Sequence, residues 1–361
     1  MSRSVMIVAG GTGGHVYPGL AVAAALRARN VELHWMGTAR GIEARIVPLA
    51  GVPFLTIPVT GLRGRGWWRW LAAPFGVTYA LCCAWAAIRR VRPQVVLGMG
   101  GFVSGPGGIA AWLCRRPLII HEQNAVPGLS NRILSHFAHR VLEGFPGSFA
   151  ARVRAITTGN PVRAEIAGLA APATRAHQHD TVNVLVFGGS RGARALNERV
   201  PQALAACGTG RLAVRHQCGV DDVAATQARY AAASNITELT VVPYIDDMPT
   251  AYAWADLIIA RAGASSIAEI AACGVASILI PYPYAVDDHQ TVNARYLAGA
   301  DAAVVLAEAQ LTVANLAREI GRLTRDAGLR QAMAERARAR ARARPHATAD
   351  VAAQCMEFFD A

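Results

Sequence analysis

The chain has 361 residues, enough for two domains, and its 53% apolar and 17% charged residues exclude a disordered chain. All 36 basic residues are arginine, so a P-loop lysine, a Schiff-base lysine and a lysine general base are excluded. The formal charge of +12 favours an anionic partner: a nucleic acid, a phosphorylated small molecule or a membrane surface.

Seven cysteines are scattered without CxxC or zinc spacing, which reads as reduced thiols in a cytoplasmic protein. The first apolar run, "VMIVA" (5–9), is a strand and too short for a signal-peptide core, so nothing in it implies export. It runs into "GGTGG" (Gly10–Gly14) and His15. A strand, a glycine loop and a helix N-terminus together offer free N–H groups and a positive dipole end to phosphate. His15 follows directly, and an imidazole suits a general base.

After the strand "ELHWM" comes "WWRWLAAPFGVTYALCCAWAAIRR", uncharged for the nineteen residues Trp70 to Ile88. Pro74 and Gly76 predict a helix starting no earlier than about Pro74, whose remaining residues reach only ~22 Å, short of a bilayer. Trp67, Trp68, Trp70, Leu71 and Phe75 lie among Arg63, Arg65, Arg69, Arg89 and Arg90, the pattern of a helix resting at a lipid surface.

The strand "VVLGM" leads to a second glycine loop, "GGFVSGPGG" (Gly100–Gly108). The strand "PLIIH" then leads to "HEQNAVPG" (His121–Gly128). Four hydrogen-bonding side chains in a row make poor core and favour a site; the motif is not HExxH, so zinc is not indicated. A further strand, "RVL", precedes a predicted boundary at "TTGNPVR" (Thr157–Arg163). A polar stretch follows to Asp180.

The second half repeats the pattern. Its strands are "VNVLVF", "LAVRHQ", "LTVVPY", "DLIIA" and "ASILIPY", and a third glycine loop, "GGSRG" (Gly188–Gly192), follows the first of them. Continuous apolar strands between helices predict parallel sheets covered on both faces. The fold class expected is therefore α/β, with two doubly wound, Rossmann-like domains. "ARAGASSIAEIAACG" (Ala260–Gly274) is a strand end, a small-residue loop and a helix carrying Glu269, a carboxylate suited to a ribose diol. "DDHQTVNA" (Asp287–Ala294) offers groups suited to sugar hydroxyls. The paired aspartates form no convincing metal site. The end is an arginine-rich helix broken at Pro345, then a short helix; without interleaved aromatics it reads as a solvated face rather than a nucleic-acid surface.

Three glycine loops in two domains point to a diphosphate ligand. None is a clean dinucleotide fingerprint, since after Gly11 and Gly13 the third glycine falls at Val16. "GGSRG" also fits the GxSxG nucleophile elbow, so a serine hydrolase with Ser190, Asp287 and His289 is one alternative. A non-catalytic nucleotide-sugar-binding protein is another.

"GGTGGHVYPGLAVA", "VVLGMGGFVSGPGG", "HEQNAVPG", "GNPVR", "FGGSRGARALN", "YIDDM" and "RAGASSIAEIAACG", in order from Gly10 to about Ala294, resemble the MurG family of glycosyltransferases. The resemblance implies a GT-B fold: two Rossmann-like domains with an interdomain cleft. Residues 1–162 with the C-terminal helix 345–361 would form the acceptor-lipid and membrane-docking domain, and 163–344 the donor domain. The implied reaction is inverting transfer of N-acetylglucosamine from UDP-N-acetylglucosamine to the 4-hydroxyl of lipid I, giving lipid II. It uses no cofactor and no metal.

By the same resemblance, Thr12, Gly13, Gly14 and Asn124 would meet the donor from the first domain. Arg163, Ser190, Ile245, Ala264, Ser265, Ser266, Ile267, Ala268, Glu269 and Gln290 would meet it from the second. Ile245 would read uracil through its backbone, Glu269 would hold the ribose and Gln290 the sugar hydroxyls. Gly13, Gly14, Gly100, Gly101, Ser104 and Gly105 would face the lipid diphosphate. His15 and Glu122 are the two candidates for the base. The implied partners are UDP-N-acetylglucosamine, lipid I, the anionic membrane surface and cell-wall synthesis proteins, with no nucleic acid. The implied location is peripheral, on the cytoplasmic face of the inner membrane. Phe102, Arg191 and His289 stand where the family pattern has tyrosine, glutamine and glutamine.

Overall fold

All ten apolar runs are strands in the computed structural model, which describes residues 3–59, 67–175, 181–189, 192–208 and 210–359. The chain divides into two units, Met1–Arg163 with His346–Ala361, and Ala164–Pro345.

The first unit holds β1 (Ser4–Ala9), β2 (Glu32–Gly37), β3 (Phe54–Thr56), β4 (Val95–Gly100), β5 (Leu118–Glu122), β6 (Arg140–Glu143) and β7 (Ile156–Thr157). They form one parallel sheet in the order β3-β2-β1-β4-β5-β6-β7. Central strands buried on both faces must be apolar throughout, and β1 shows the division. Val5 and Ile7 pack with Val22, Leu26, Trp35, Val351 and Cys355 on one face. Met6 and Val8 pack with Ile88, Ala111 and Leu134 on the other. The C-terminal helix Ala347–Met356 lies against the helix Gly13–Arg27. Thr348 fastens it, its Oγ1 accepting from the Val162 amide at 3.2 Å and donating to the Val162 carbonyl at 3.1 Å.

The second unit holds β8 (Thr181–Phe187), β9 (Arg211–Gln217), β10 (Ile236–Val242), β11 (Leu257–Ala260), β12 (Ala276–Leu279) and β13 (Val304–Val305), all parallel, in the order β10-β9-β8-β11-β12-β13. Val184, Val186, Val214, Ile259 and Ile278 face Leu316, Ile320 and Leu323 of the amphipathic helix Val313–Arg325. The arginine-rich helix Ala327–Arg342 reaches for backbone carbonyls in the last turns of two helices and in the loop after a third. Arg330 donates to Leu323 and Thr324, Arg338 to Leu169 and Ala170, and Arg340 to Tyr296. These three arginines join neighbouring elements instead of forming the purely solvated face expected.

Two further features differ from the sequence reading. The helix expected to start at Pro74 runs Trp67–Val91, with Pro74 inside it. The short strands β3, β7 and β13 are additional; all have two or three residues.

Candidate active site

In an open parallel sheet the ligand crevice lies at the carboxyl ends of the strands, where the strand order reverses. In the first unit that point falls between β1 and β4, in the second between β8 and β11. The loops following β1 and β4 are the first two glycine loops. Those following β8 and β11 are the third glycine loop and "RAGASS". The four most ligand-like loops therefore stand at the two switch points.

At the first switch point the loops touch. Gly101 has φ +85°, and a Cβ there would land on the Gly10 carbonyl. Glu43, fully buried, accepts from the Gly11 amide at 3.0 Å and from Thr38 Oγ1 at 2.7 Å. Its signal in the sequence was nil, since it lies far from the loop it braces. Ser104, expected to face a diphosphate, is fully buried instead. Its hydroxyl accepts from the Gly100 amide and lies 3.0 Å from the Val8 carbonyl, holding β1 to β4. Thr12 is exposed, while Gly13, Gly14, Gly101, Gly105 and Asn124 are half-buried.

The residues of "HEQNAVPG" divide their labour. Glu122 Oε1 accepts from the Asn124 amide at 2.9 Å and Asn124 Nδ2 at 3.1 Å; Oε2 accepts from the Gly128 amide and Asn131 Nδ2, each at 3.0 Å. This carboxylate is 2% exposed and organises the loop around it. Gln123 reaches His15 instead, Oε1 to Nδ1 at 2.9 Å. His121 is fully buried, and desolvation lowers its pKa from 6.5 to about 4, so it is neutral. Asn160, in "GNPVR", donates from Nδ2 to the Gln123 carbonyl at 2.9 Å. Arg163, assigned by sequence to the second domain, belongs to the first unit, its guanidinium 4.8 Å from the Tyr17 ring centroid.

At the second switch point, Gly192 has φ +71°, and a Cβ there would meet the Cys218 carbonyl. Ser190 and Arg191, between it and Gly189, lie outside the described residues. Gln217, which sequence reasoning missed, donates from Nε2 to the carbonyls of Gly189 at 3.0 Å and Pro243 at 3.2 Å, tying this loop to the segment before Ile245. The signal available was a polar residue at a strand's carboxyl end. The helix Ala264–Cys273 begins at Gly263 without a side-chain cap, so its first amides face the switch point without a capping side chain. Ser265, Ser266 and Ala268 are half-buried, while Ala264 and Ile267 are buried and offer only backbone. Glu269 is 9% exposed and accepts from Tyr252 OH at 3.0 Å. Gln290 Oε1 accepts from the Tyr282 amide at 3.0 Å. Arg261, also missed, pairs with Glu308 at 2.6 Å and donates to Ile280 and Pro281, anchoring the ends of β11 and β12.

Away from the loops, the first unit exposes a run of large apolar side chains. Phe75 (79% exposed), Tyr79 and Trp85 lie on the helix Trp67–Val91. Trp112 and Leu113 lie on Ser104–Leu113, and Leu129 (70%) and Ile133 on Leu129–Leu134. These three helices pack in sequence against one another. Exposed Arg89, Arg90, Arg115 and Arg132 accompany them. The side chains of Trp67, Trp68, Trp70 and Leu71, named from sequence, lie outside the described residues, as do Arg63 and Arg65. Among the described residues no helix is long and apolar enough to cross a membrane.

Two doubly wound parallel sheets, each with phosphate-type loops at its switch point, are the architecture of the GT-B fold class. The glycosyltransferase family 28 N-terminal domain matches residues 5–143 and the family's C-terminal domain residues 183–349; the chain belongs to this family. It is 51% identical, over 99% of both chains, to the UDP-N-acetylglucosamine–N-acetylmuramyl-(pentapeptide) pyrophosphoryl-undecaprenol N-acetylglucosamine transferase of Nitrosococcus oceani. It is 51% identical to the protein of the same name from Xanthomonas euvesicatoria, over 94% of this chain and 78% of that one. The crystal structure of Acinetobacter baumannii MurG matches with a TM-score of 0.81 at 39% identity, covering 98% of this chain and 99% of that one. The calicheamicin glycosyltransferase CalG4, at 17% identity and a TM-score of 0.68, shares the fold. Family membership sets aside the hydrolase built on Ser190.

Proposed function

We infer that the chain transfers N-acetylglucosamine from UDP-N-acetylglucosamine to undecaprenyl-diphospho-N-acetylmuramoyl-pentapeptide, inverting the anomeric centre and producing lipid II for peptidoglycan. The observation that carries this reading is the end-to-end likeness, 51% over 99% of both chains, to a transferase of that name.

In the step proposed, the acceptor 4-hydroxyl oxygen bonds to the anomeric carbon and its proton passes to His15. The bond from that carbon to the diphosphate breaks, and UDP leaves with the electron pair. The transition state is oxocarbenium-like, as in glycoside hydrolysis. The leaving diphosphate would be met by the amides at Gly188–Gly192 and at the start of Ala264–Cys273, where a helix N-terminus stabilises developing negative charge. Ile245, Glu269 and Gln290 would hold uracil, ribose and sugar, and the loops at Gly10–Gly14 and Gly100–Gly105 the acceptor diphosphate. Between the two base candidates, geometry favours His15: Glu122 is buried and already accepts four hydrogen bonds.

The apolar run from Phe75 to Ile133, with its arginines, suits a surface resting on anionic lipid. It would hold the enzyme peripherally on the cytoplasmic face of the inner membrane, where a lipid-linked acceptor is presented. His15→Ala tests the chemistry: transfer should be lost while UDP binding by calorimetry persists. Transfer at the parent rate would remove His15 from the base's role.

A further inference from the structure

Three hydrogen bonds run in series beneath the first switch point: His15 Nδ1 to Gln123 Oε1 at 2.9 Å, Gln123 Nε2 to His121 Nδ1 at 3.0 Å, and His121 Nε2 to the Gly159 carbonyl at 3.0 Å. Their direction is fixed from the far end. A carbonyl only accepts, so His121 carries its hydrogen on Nε2. The ring is buried and neutral, so Nδ1 holds a lone pair and accepts from the Gln123 amide nitrogen. That turns Gln123 Oε1 toward His15. Oε1 also only accepts, so His15 carries its hydrogen on Nδ1, and its lone pair is on Nε2.

We propose that Gln123 and His121 are positioning residues that hold His15 in the Nδ1–H tautomer, making Nε2 the atom that takes the acceptor's proton. The proposal rests on the reading of His15 as the base. An isolated histidine favours the opposite tautomer, so the selection has to be imposed. The surroundings are built to impose it: Gln123 is 1% exposed, Asn160 fixes its carbonyl, and Asn131 Nδ2 donates to the His121 carbonyl at 3.2 Å. The partner of His15 is a neutral amide. The carboxylates in this region, Glu43, Glu122 and Glu143, are each engaged by N–H or O–H donors, and Arg163 lies over Tyr17 on the helix of His15. The imidazolium formed on proton transfer keeps its Nδ1–H bond to the Gln123 amide oxygen.

Ring nitrogen-15 spectra of the full chain, with His15 assigned by its loss in His15→Gln, read the tautomer directly. Neutral His15 should be protonated on Nδ1 in the parent and mainly on Nε2 in Gln123→Leu. In Gln123→Leu, kcat should fall by about fivefold to tenfold with KM for UDP-N-acetylglucosamine within about twofold, as expected when the base is released to spend most of its time in the wrong tautomer. Gln123→Glu restores an acceptor and adds a charge that favours imidazolium. It should recover much of kcat and move the acidic limb of the rate profile to higher pH by about one unit. Parent His15 protonated on Nε2 overturns the proposal, as does a Gln123→Leu variant that keeps the parent tautomer. A tautomer switch in Gln123→Leu with transfer intact in His15→Ala leaves the relay standing and overturns the reading of His15 as the base.

Discussion

The Glu43 carboxylate accepts the Gly11 amide at 3.0 Å across 32 residues of sequence. The same group, itself fully buried, accepts the Thr38 amide at 3.0 Å and Thr38 Oγ1 at 2.7 Å. The first glycine loop thus owes its shape to a carboxylate from outside the loop as well as to its own glycines. Glu43→Ala leaves these donors unsatisfied and should lower the urea midpoint by an amount equivalent to about 2–4 kcal/mol. Glu43→Gln keeps one acceptor and should cost less.

At the second switch point, Gly192→Ala should weaken donor binding and also lower stability. The methyl would meet the Cys218 carbonyl, which already accepts from Asn197 Nδ2 at 2.9 Å and has little room to move. Forcing φ +71° on alanine adds strain of about 1–3 kcal/mol. Calorimetric titration should show UDP affinity reduced at least tenfold. Unchanged affinity would take the diphosphate away from this loop.

The apolar run of the first unit should be separable from sugar-nucleotide binding. Phe75 and Tyr79 are exposed and touch neither switch point in sequence. Full burial of such a side chain contributes about 1.5–3 kcal/mol, and partial insertion correspondingly less. The double variant Phe75→Ser/Tyr79→Ser should therefore sediment at least tenfold less with anionic vesicles, with UDP affinity unchanged. Binding should also weaken with salt, through Arg89 and Arg90.

Acid should destabilise both units. Burial lowers the pKa of His216 from 6.5 to about 3, its ring held between Tyr230 OH at 2.8 Å and Asn197 Oδ1 at 3.1 Å. His121 is similarly held down at about 4. A depressed histidine stays neutral in the fold while the unfolded chain takes up a proton below its own pKa near 6.5. Above pH 7 neither group affects stability. Between about pH 6 and 4 each should remove roughly 1.4 kcal/mol per pH unit. Denaturant midpoints at pH 7, 6 and 5 measure the slope, and His216→Gln should reduce it.

Much of this was legible in the sequence because parallel strands buried on both faces are uninterrupted apolar runs, as in "VMIVA" and "VNVLVF". The pairs Ile156–Thr157 and Val304–Val305 are too short to show any period. Pro74 misled because a proline is expected near a helix start, whereas here the helix begins at Trp67 and carries it. "HEQNAVPG" announced a site, but only geometry shows that Glu122 holds the loop while Gln123 reaches His15. Glu43 acts on a loop distant in sequence, so no local pattern marks it, and Gln217 was marked only by a polar side chain at a strand's carboxyl end.

The most direct test is transfer of radiolabelled sugar to a lipid I analogue in membranes, comparing UDP-N-acetylglucosamine with UDP-N-acetylgalactosamine, which differ only at the sugar 4-hydroxyl. The expected result is a lipid-linked disaccharide from the first donor, at a rate far above that from the second. Donor binding with no labelled lipid from either, or equal transfer from both, would contradict the assignment.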